Sequence, residues 1–349
     1  MTKNMFHLSG FISICLTLKF LSKDLLYSLL SSIITLNMLI AVIKEFKVML
    51  KFFMLFFILL LLTFAMSWAG EAGHYVCGIG GLKCASLPPP GLYYCQYNVL
   101  YTASSLKGTD GSELPVGFDL DIRGVISRIA WMTKYKVLGA NYGMDMIIPY
   151  LRIESAMSSA GILDQMSGLC DIGIEPVVLS WSKPRYDLST GIAFFLPTGR
   201  YNIARPSSPG KNFSTTMFSL GGTYYFDEKK TWSVSALSRY ETHGTNSDKN
   251  ISPGNTFSLD WGVGRTIISK NHLLNVGLVG YLQRQVTDDT GTGVNYDNSI
   301  HDKVYALGLE ANFTSFKGKY TLSICHFNEY SAIDRPEGRI TNITFIKPL

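Results

Sequence analysis

The residues best suited to covalent chemistry are His243, Asn246 and Ser247, which lie within one short polar stretch. A hydrolase needs a histidine base, a serine nucleophile and a polar group that orients the histidine. This stretch falls in a predicted loop rather than on a strand face. No Gly-x-Ser-x-Gly nucleophile elbow occurs in the chain. The pattern therefore predicts that the protein is not an enzyme.

Cysteine chemistry is the next possibility, since the chain holds six cysteines. Cys15 lies in the amino-terminal leader, and an odd number of five remains after it. At least one thiol is then unpaired, although Cys77 and Cys84 are placed to bridge in an oxidising envelope. No Cys-x-x-Cys pair occurs and histidine is sparse, so neither a zinc site nor any other cofactor is predicted.

The elements that must position these residues are strands, as the stretch from Met217 to Glu241 indicates. Its two halves alternate, with Phe218 and Leu220 on one face of the first and Trp232 on one face of the second. A charged turn joins them, and aromatic residues cluster beside it. Aromatic rings at strand ends are typical of transmembrane β-barrels, where they sit at the membrane–water interface.

Composition agrees with a membrane barrel. The mean hydropathy is +0.16 and 47% of residues are hydrophobic, yet no apolar run of membrane-helix length follows residue 69. Alternating polar residues dilute the lipid-facing ones in a barrel. Residues 1–69 carry +4 of the net charge of +5. The remainder is nearly neutral, which argues against nucleic acid as a partner.

The chain divides into four parts. Residues 49–69 have the Lys51 charge, apolar stretch and small-x-small site of a secretory signal peptide. Residues 1–48 are interpreted as an extension from a start codon assigned too early, with a real inner-membrane anchor as the alternative. Residues 70–90 form an irregular Gly/Pro-rich segment, lying in the barrel mouth or lumen or serving as a periplasmic tail. Residues 91–349 form the barrel.

Alternation and turn signals predict twelve strands, an even number as expected of bacterial single-chain barrels. The fold class is therefore all-β, a transmembrane antiparallel β-barrel preceded by a signal peptide. The predicted strands are 91–103, 118–132, 141–154, 169–181, 186–197, 214–226, 232–242, 256–267, 272–286, 303–313, 319–330 and 339–347.

The connections alternate strictly between long and short. Outer-membrane barrels show this pattern because their periplasmic turns are short and their external loops are long. The sequence therefore predicts a Gram-negative outer-membrane location. The long connections are 104–117, 155–168, 198–213, 243–255, 287–302 and 331–338, and the short ones are 133–140, 182–185, 227–231, 268–271 and 314–318.

Charged residues recur on the polar faces of the predicted strands. A charge that faces lipid costs ~2–4 kcal/mol near the midplane, so these side chains should face the lumen. They either line a solute-selective pore or form a salt-bridged network that fills a narrow barrel. The predicted pore-lining residues are Asp119, Arg123, Asp145, Glu175, Arg239, Glu241, Asp260 and Glu310.

Seven stretches spread over nearly the whole processed chain carry a family resemblance. They are GLKCASLPPPGLYY (81–94), YGMDMIIPYLR (142–152), DIGIEPVVLSW (171–181), FFLPTG (194–199), LGGTYYFDEKKTWSVSALSRYE (220–241), GYLQRQVTDDTG (280–291) and DRPEGRIT (334–341). The chain thereby resembles the MetA-pathway phenol-degradation family of bacterial outer-membrane proteins. The resemblance implies a transporter-like barrel suggested to pass hydrophobic or aromatic compounds.

The sequence departs from the usual barrel pattern at its end, where Leu349 replaces a terminal aromatic residue read by the barrel assembly machinery. The predicted function is a monomeric or weakly oligomeric outer-membrane channel for small hydrophobic or aromatic solutes. Its predicted partners are these solutes, outer-membrane lipid and the assembly machinery. The alternatives are a non-conducting structural or adhesion barrel and an outer-membrane lipid-modifying enzyme.

Overall fold

A computed structural model of the chain describes residues 73–349. The predicted upstream extension (1–48) and signal peptide (49–69) lie outside the described residues. Within 73–349, no helix is long and apolar enough to cross a membrane. The strands are β1 Gly91–Leu106, β2 Phe118–Val137, β3 Ala140–Met157, β4 Ile162–Leu169, β5 Ile172–Ser182, β6 Tyr186–Leu196, β7 Thr215–Tyr225, β8 Trp232–His243, β9 Thr256–Ile268, β10 His272–Gln285, β11 Lys303–Ser315, β12 Tyr320–Ile333 and β13 Pro336–Pro348.

Twelve of these strands form a closed antiparallel ring. Each pairs with its neighbour in the chain, β3 pairs with β5, and β1 closes the ring by pairing with both β2 and β13. Closure leaves the ring itself without an unpaired strand edge, as a bilayer demands of any spanning sheet. The predicted twelve-stranded all-β barrel is confirmed. The thirteenth strand, β4, pairs only with the outer part of β3 and extends that wall beyond the ring.

Three connections differ from the sequence prediction. The predicted connection 133–140 is a two-residue turn, because β2 extends to Val137 and β3 begins at Ala140. The predicted loop 155–168 contains a 3₁₀ turn at Ser158–Ala160 and most of β4. The predicted long loop 331–338 is a two-residue turn, because β12 and β13 extend to Ile333 and Pro336. Strand pairing can continue beyond the membrane, because it still satisfies the backbone N–H and C=O groups there. The side-chain pattern ends earlier than the pairing, so the predicted loop was too long.

The outer surface of the ring is apolar. Along β11, Leu307 and Leu309 are exposed on the outer face, whereas Gly308 and Glu310 turn inward. The same alternation exposes Leu278 on β10 and Ile324 on β12. Such a continuous band of exposed aliphatic and aromatic side chains matches the hydrocarbon-facing surface of a membrane barrel.

Residues 73–90, called here the lumen segment, lie inside the barrel without helix or strand structure. His74 contacts Thr215 at the start of β7, where a long loop enters the barrel, and this end is called the loop end. Ser86 contacts Asp187 at the start of β6, just after a short turn, and this is the turn end. The segment thus runs lengthwise through the lumen, one of the placements that the sequence left open.

Candidate functional site

One side of the lumen, called here the anchoring wall, holds the lumen segment through carboxylates on β6, β8, β9 and β11. Glu241 Oε1 accepts hydrogen bonds from the backbone N–H groups of His74 at 2.8 Å and Tyr75 at 3.1 Å. Asp260 accepts the N–H of Gly78 at 3.0 Å and the hydroxyl of Tyr75. Because the segment has no regular structure, its backbone N–H groups need such partners.

The half of the lumen segment nearer the turn end is also held by carboxylates. Glu310 Oε2 accepts the Leu82 N–H at 2.8 Å, while its other oxygen accepts the Ser323 hydroxyl at 3.0 Å. Asp187 accepts the Ser86 hydroxyl at 2.8 Å near the turn end. Four carboxylates spaced along the wall therefore bind successive parts of the segment, and all four are buried.

Tyr75 is the aromatic anchor of the segment. The Arg239 guanidinium lies 3.7 Å from the centre of its ring, and Arg239 Nη1 is 3.6 Å from Asp260 Oδ2. Burial raises the pKa of Tyr75 well above its ordinary value, against the opposing effect of the Arg239 charge. The phenol consequently stays protonated and remains a donor to Asp260.

Glycine lets the segment approach the anchoring wall closely. A Cβ at Gly262 would lie 2.7 Å from the Cα of Leu82, and a Cβ at Gly264 would lie 2.9 Å from a Leu82 methyl. Only a residue without a side chain fits at such contacts. The Gly-Val-Gly run after Trp261 thus has a packing role, since it lies within β9 and does not open a helix as a phosphate loop would.

Near the loop end, histidines join the segment to the wall. His74 Nε2 is 2.8 Å from Asp171 Oδ2, and its Nδ1 is 2.7 Å from Thr215 Oγ1. His243 contacts Thr215 at 2.7 Å and Thr256 at 3.2 Å through its two ring nitrogens. The His243 ring thus contacts threonines inside the lumen and packs edge-on against Phe213, whereas Ser247 is exposed to solvent. The sequence-level hydrolase candidate is therefore not assembled.

The opposite side of the lumen, called here the cavity wall, consists of the inward faces of β1, β2, β3 and β5. A cavity of about 750 Å³ separates it from the lumen segment and reaches Pro348 at the turn end. Most of the cavity wall is apolar. Its apolar lining includes Tyr93, Tyr97, Ile126, Ala130, Met132, Ile147 and Val178.

A charged cluster interrupts this apolar lining. Arg128 Nη2 lies 2.5 Å from Asp145 Oδ2 and 2.9 Å from Glu175 Oε2. Asp145 on β3 and Glu175 on β5 are register partners. Near Glu175 the pairing of β5 is irregular with both β3 and β6, and the neighbouring Pro176 has no N–H to donate to the ladder. One guanidinium therefore bridges two carboxylates from neighbouring strands.

The eight predicted pore residues divide into three groups. Asp145 and Glu175 line the cavity, as does Arg239 from the other side. Glu241 and Asp260 face the lumen, and so does Glu310, but all three bind the lumen segment. That any of these six selects solutes stays a prediction.

Asp119 and Arg123 require a correction, because they lie on the outward face of β2 together with Val125 and Ile129. The Arg123 side chain is 64% exposed and pairs with Asp121 at 2.9 Å. Both residues belong to the loop-end part of this 20-residue strand, beyond the length needed to cross the hydrocarbon core. An outward charge there faces water, so the rule that charges point inward does not apply.

Sequence reasoning missed Arg128, which is the centre of the cavity cluster. It shares its face with Ile126, Ala130 and Met132, and that face looked apolar. A signal was present, since an arginine in the middle of an apolar spanning strand can avoid lipid only by facing the lumen.

The cysteines supply no reactive site. All five within residues 73–349 are buried and unpaired, so the Cys77–Cys84 bridge considered from the sequence does not form. Burial raises the pKa of Cys84 to about 12, which keeps the thiol neutral. Among these same residues, no group of three or more His, Cys, Asp or Glu side chains is arranged to hold a metal ion.

Comparison with known proteins identifies the family of this chain and a solved structure with a similar fold. The family model for the Putative MetA-pathway of phenol degradation matches residues 103–339, more than half of the chain. The sequence matches no curated protein sequence. The fold is similar to that of an outer-membrane channel from Pseudomonas putida F1, with a TM-score of 0.65 and 15% identity over 76% of this chain and 97% of that one.

Two autotransporter domains are more distant. The β domain of the Bordetella autotransporter BrkA aligns with a TM-score of 0.47 and 10% identity, over 75% of this chain and all of that one. The transport unit of AIDA-I from Escherichia coli aligns with a TM-score of 0.47 and 8% identity, over 75% and 91% of the two chains. Neither likeness is strong enough to carry a functional argument.

Proposed function

Since the chain belongs to the MetA-pathway phenol-degradation family, we propose that it is a channel for small hydrophobic or aromatic compounds. The barrel lies in the Gram-negative outer membrane, as its closed ring of strands and its apolar outer surface indicate. The observation that carries the proposal is the cavity between the lumen segment and the cavity wall.

The size and lining of this cavity suit aromatic rings. Its volume of about 750 Å³ lies within the ~300–1,000 Å³ range of small-molecule sites. An apolar cavity of ~150 Å³ is enough to bind benzene. Tyr97 and Met132 supply an aromatic face and a polarisable thioether, both of which pack well against rings. The lining therefore supports one or a few aromatic molecules at a time.

The anchored lumen segment favours a second candidate, a non-conducting barrel. Hydrogen bonds to Glu241, Asp260 and Glu310 fix it along the lumen, so a wide water-filled pore is absent from the described part of the chain. The channel proposal therefore requires solutes to move through the cavity beside the segment, along the apolar lining of the cavity wall. A catalytic role is not proposed, because transport through this cavity needs no reacting group.

Uptake by whole cells separates the two candidates, because the lipopolysaccharide leaflet is the barrier that such a channel would bypass. A Gram-negative strain with low hydrocarbon uptake would express the protein, and initial uptake of radiolabelled toluene would be measured. We expect a several-fold higher rate than in cells without the protein. Ala130→Phe, which places a ring in the cavity, should reduce the gain, whereas Ala311→Phe on the outer face should keep it.

An unchanged toluene rate with folded, heat-modifiable protein present in the outer membrane would favour the non-conducting barrel. A gain that Ala130→Phe leaves unchanged would place the route away from the part of the cavity that Ala130 lines. The predicted association with outer-membrane lipid and with the barrel assembly machinery can be followed in the same cells, through the yield of folded protein. Restoring a terminal aromatic residue with Leu349→Phe gives the matched comparison for assembly.

A further inference from the structure

The charged cluster of the cavity wall bears on which aromatic compounds the cavity accepts. Arg128 is the residue through which the cluster faces the cavity, with 24% of its side chain exposed. The carboxylates of Asp145 and Glu175 lie behind it, 2% and 9% exposed. The guanidinium thus stands where a ligand would meet it, but two acidic groups already contact one of its terminal nitrogens.

This arrangement offers no net positive charge to an anion. One guanidinium faces two carboxyl groups within 2.9 Å, so its charge is matched inside the cluster. A carboxylate ligand would lose its water and gain no unmatched cation, and a desolvated ion without a counter-charge is strongly disfavoured. An uncharged ring has no such cost and gains contact with Ile126 and Met132 beside the cluster.

The other charged groups that line the cavity do not reverse this balance. Arg239 stacks on Tyr75 and lies 3.6 Å from Asp260. Lys83 Nζ is bonded to Thr266 at 2.9 Å, and burial lowers the pKa of this lysine. Glu310 adds no cation and accepts the Leu82 N–H of the lumen segment. His74 is paired with Asp171 at the loop end. Lys319 lies in the turn between β11 and β12, at the turn end rather than beside the cluster.

We propose that the Arg128–Asp145–Glu175 cluster makes the cavity selective for uncharged aromatic compounds over aromatic carboxylates of the same size. This inference rests on the proposed channel function and specifies its solutes. A ring that carries a hydroxyl or amide group is also accepted, because such a group brings no charge and can accept a hydrogen bond from the exposed part of the guanidinium. The cluster acts by charge balance and therefore needs no conformational change.

Benzamide and benzoate form the sharpest pair of probes, since they are nearly isosteric and differ in charge at neutral pH. Binding of each to the folded protein in neutral detergent would be measured by equilibrium dialysis. We expect benzamide to bind at least about tenfold more tightly than benzoate. This comparison uses the unaltered protein, so it does not depend on any variant folding. Equal affinities, or a preference for benzoate, would overturn the proposal.

Variants then test whether the cluster is the cause. The double variant Asp145→Asn with Glu175→Gln leaves Arg128 with no carboxylate partner, so benzoate affinity should rise about tenfold while benzamide affinity changes less than about threefold. The single variant Glu175→Gln should also raise the affinity for benzoate, but by a smaller factor. Asp121→Asn removes an equal charge from the outer face and should leave both affinities unchanged.

The outcomes separate this proposal from the channel function on which it rests. A benzoate affinity that stays the same in both cluster variants would assign the selectivity to another group and reject the role of the cluster. Stimulated toluene uptake together with equal binding of the two probes would reject charge selection and leave the channel standing. Failure of the protein to bind either probe, together with unchanged toluene uptake, would reject both proposals.

Discussion

The two sides of the lumen use the same residue types for different purposes. On the anchoring wall, Glu241, Asp260 and Glu310 accept hydrogen bonds from the lumen segment, which fills the space in front of them. On the cavity wall, Asp145 and Glu175 have no segment to bind and instead share Arg128. The role of a lumen carboxylate therefore depends on the hydrogen-bond donor that it faces, either a backbone N–H of the lumen segment or the Arg128 guanidinium.

Packing separates the two walls as clearly as hydrogen bonding does. The anchoring wall presents glycine to the segment, with Leu82 so close to Gly262 that a methyl group would not fit. The cavity wall presents larger side chains such as Tyr97, Ile126 and Met132 and still leaves an open volume of about 750 Å³. One wall is therefore close-packed, whereas the other has room for a ligand.

The largest effect is expected from Asp260→Ala on the anchoring wall. The change removes the acceptor for Tyr75 and Gly78 and leaves Arg239 buried without its carboxylate. Breaking a buried ion pair from one side costs ~3–5 kcal/mol. The free energy of unfolding, measured by urea titration in detergent, should fall by this order. Asp297→Asn in an exposed loop is the control and should have little effect.

Gly262→Ala should produce the next largest effect. The added methyl group meets the Leu82 backbone, and overpacking of this kind costs ~1–3 kcal/mol. The strain can be relieved by displacement of the lumen segment, so limited proteolysis should cut within 73–90 faster than in the unaltered protein. An unchanged cleavage rate and unchanged stability would mean that the anchoring wall is not close-packed at this position.

Tyr75→Phe tests the hydroxyl of the anchor while keeping its ring over Arg239. Loss of one hydrogen bond to a charged acceptor costs about 1.5–3 kcal/mol before the bound carboxylate rearranges. The measured loss should therefore fall below that for Asp260→Ala. A larger loss than Asp260→Ala would show that the phenol, rather than the carboxylate, organises this part of the wall.

The same pair of proteins gives a pH test. The pKa of Tyr75 is raised in the fold above its unfolded value of about 10, with burial as the main cause. Its stabilisation is therefore fully present below pH ~10 and is lost as the pH rises further. The stability difference between the unaltered protein and Tyr75→Phe should shrink above that pH. A constant difference would contradict the buried, protonated phenol.

The smallest effect on stability is expected from Ala130→Phe on the cavity wall. The new ring enters open volume rather than a close-packed contact, so the free energy of unfolding should change by less than ~1 kcal/mol. Toluene uptake should nevertheless fall, as described above. A stability loss as large as that of Gly262→Ala would remove the packing difference between the two walls.

Much of the barrel could be predicted from residue patterns. The alternation around Trp232 and around Leu309 identified strands with one lipid face, and the confirmed ring of twelve strands follows them closely. The pattern is reliable here because side chains alternate strictly along a strand and the two faces meet different solvents. Prediction failed at Asp119 and Arg123, where β2 leaves the membrane and outward charge carries no penalty.

The sequence by itself determined the membrane barrel, its strand number and the alternation of side chains between lipid and lumen, because these depend on local period and composition. Only the tertiary structure decided that the lumen segment lies against Asp260 and Glu310, and that Arg128 joins Asp145 to Glu175. These contacts bring together residues far apart in the chain. Ring closure and strand register fix which side chains meet across the lumen, and no local pattern encodes that meeting.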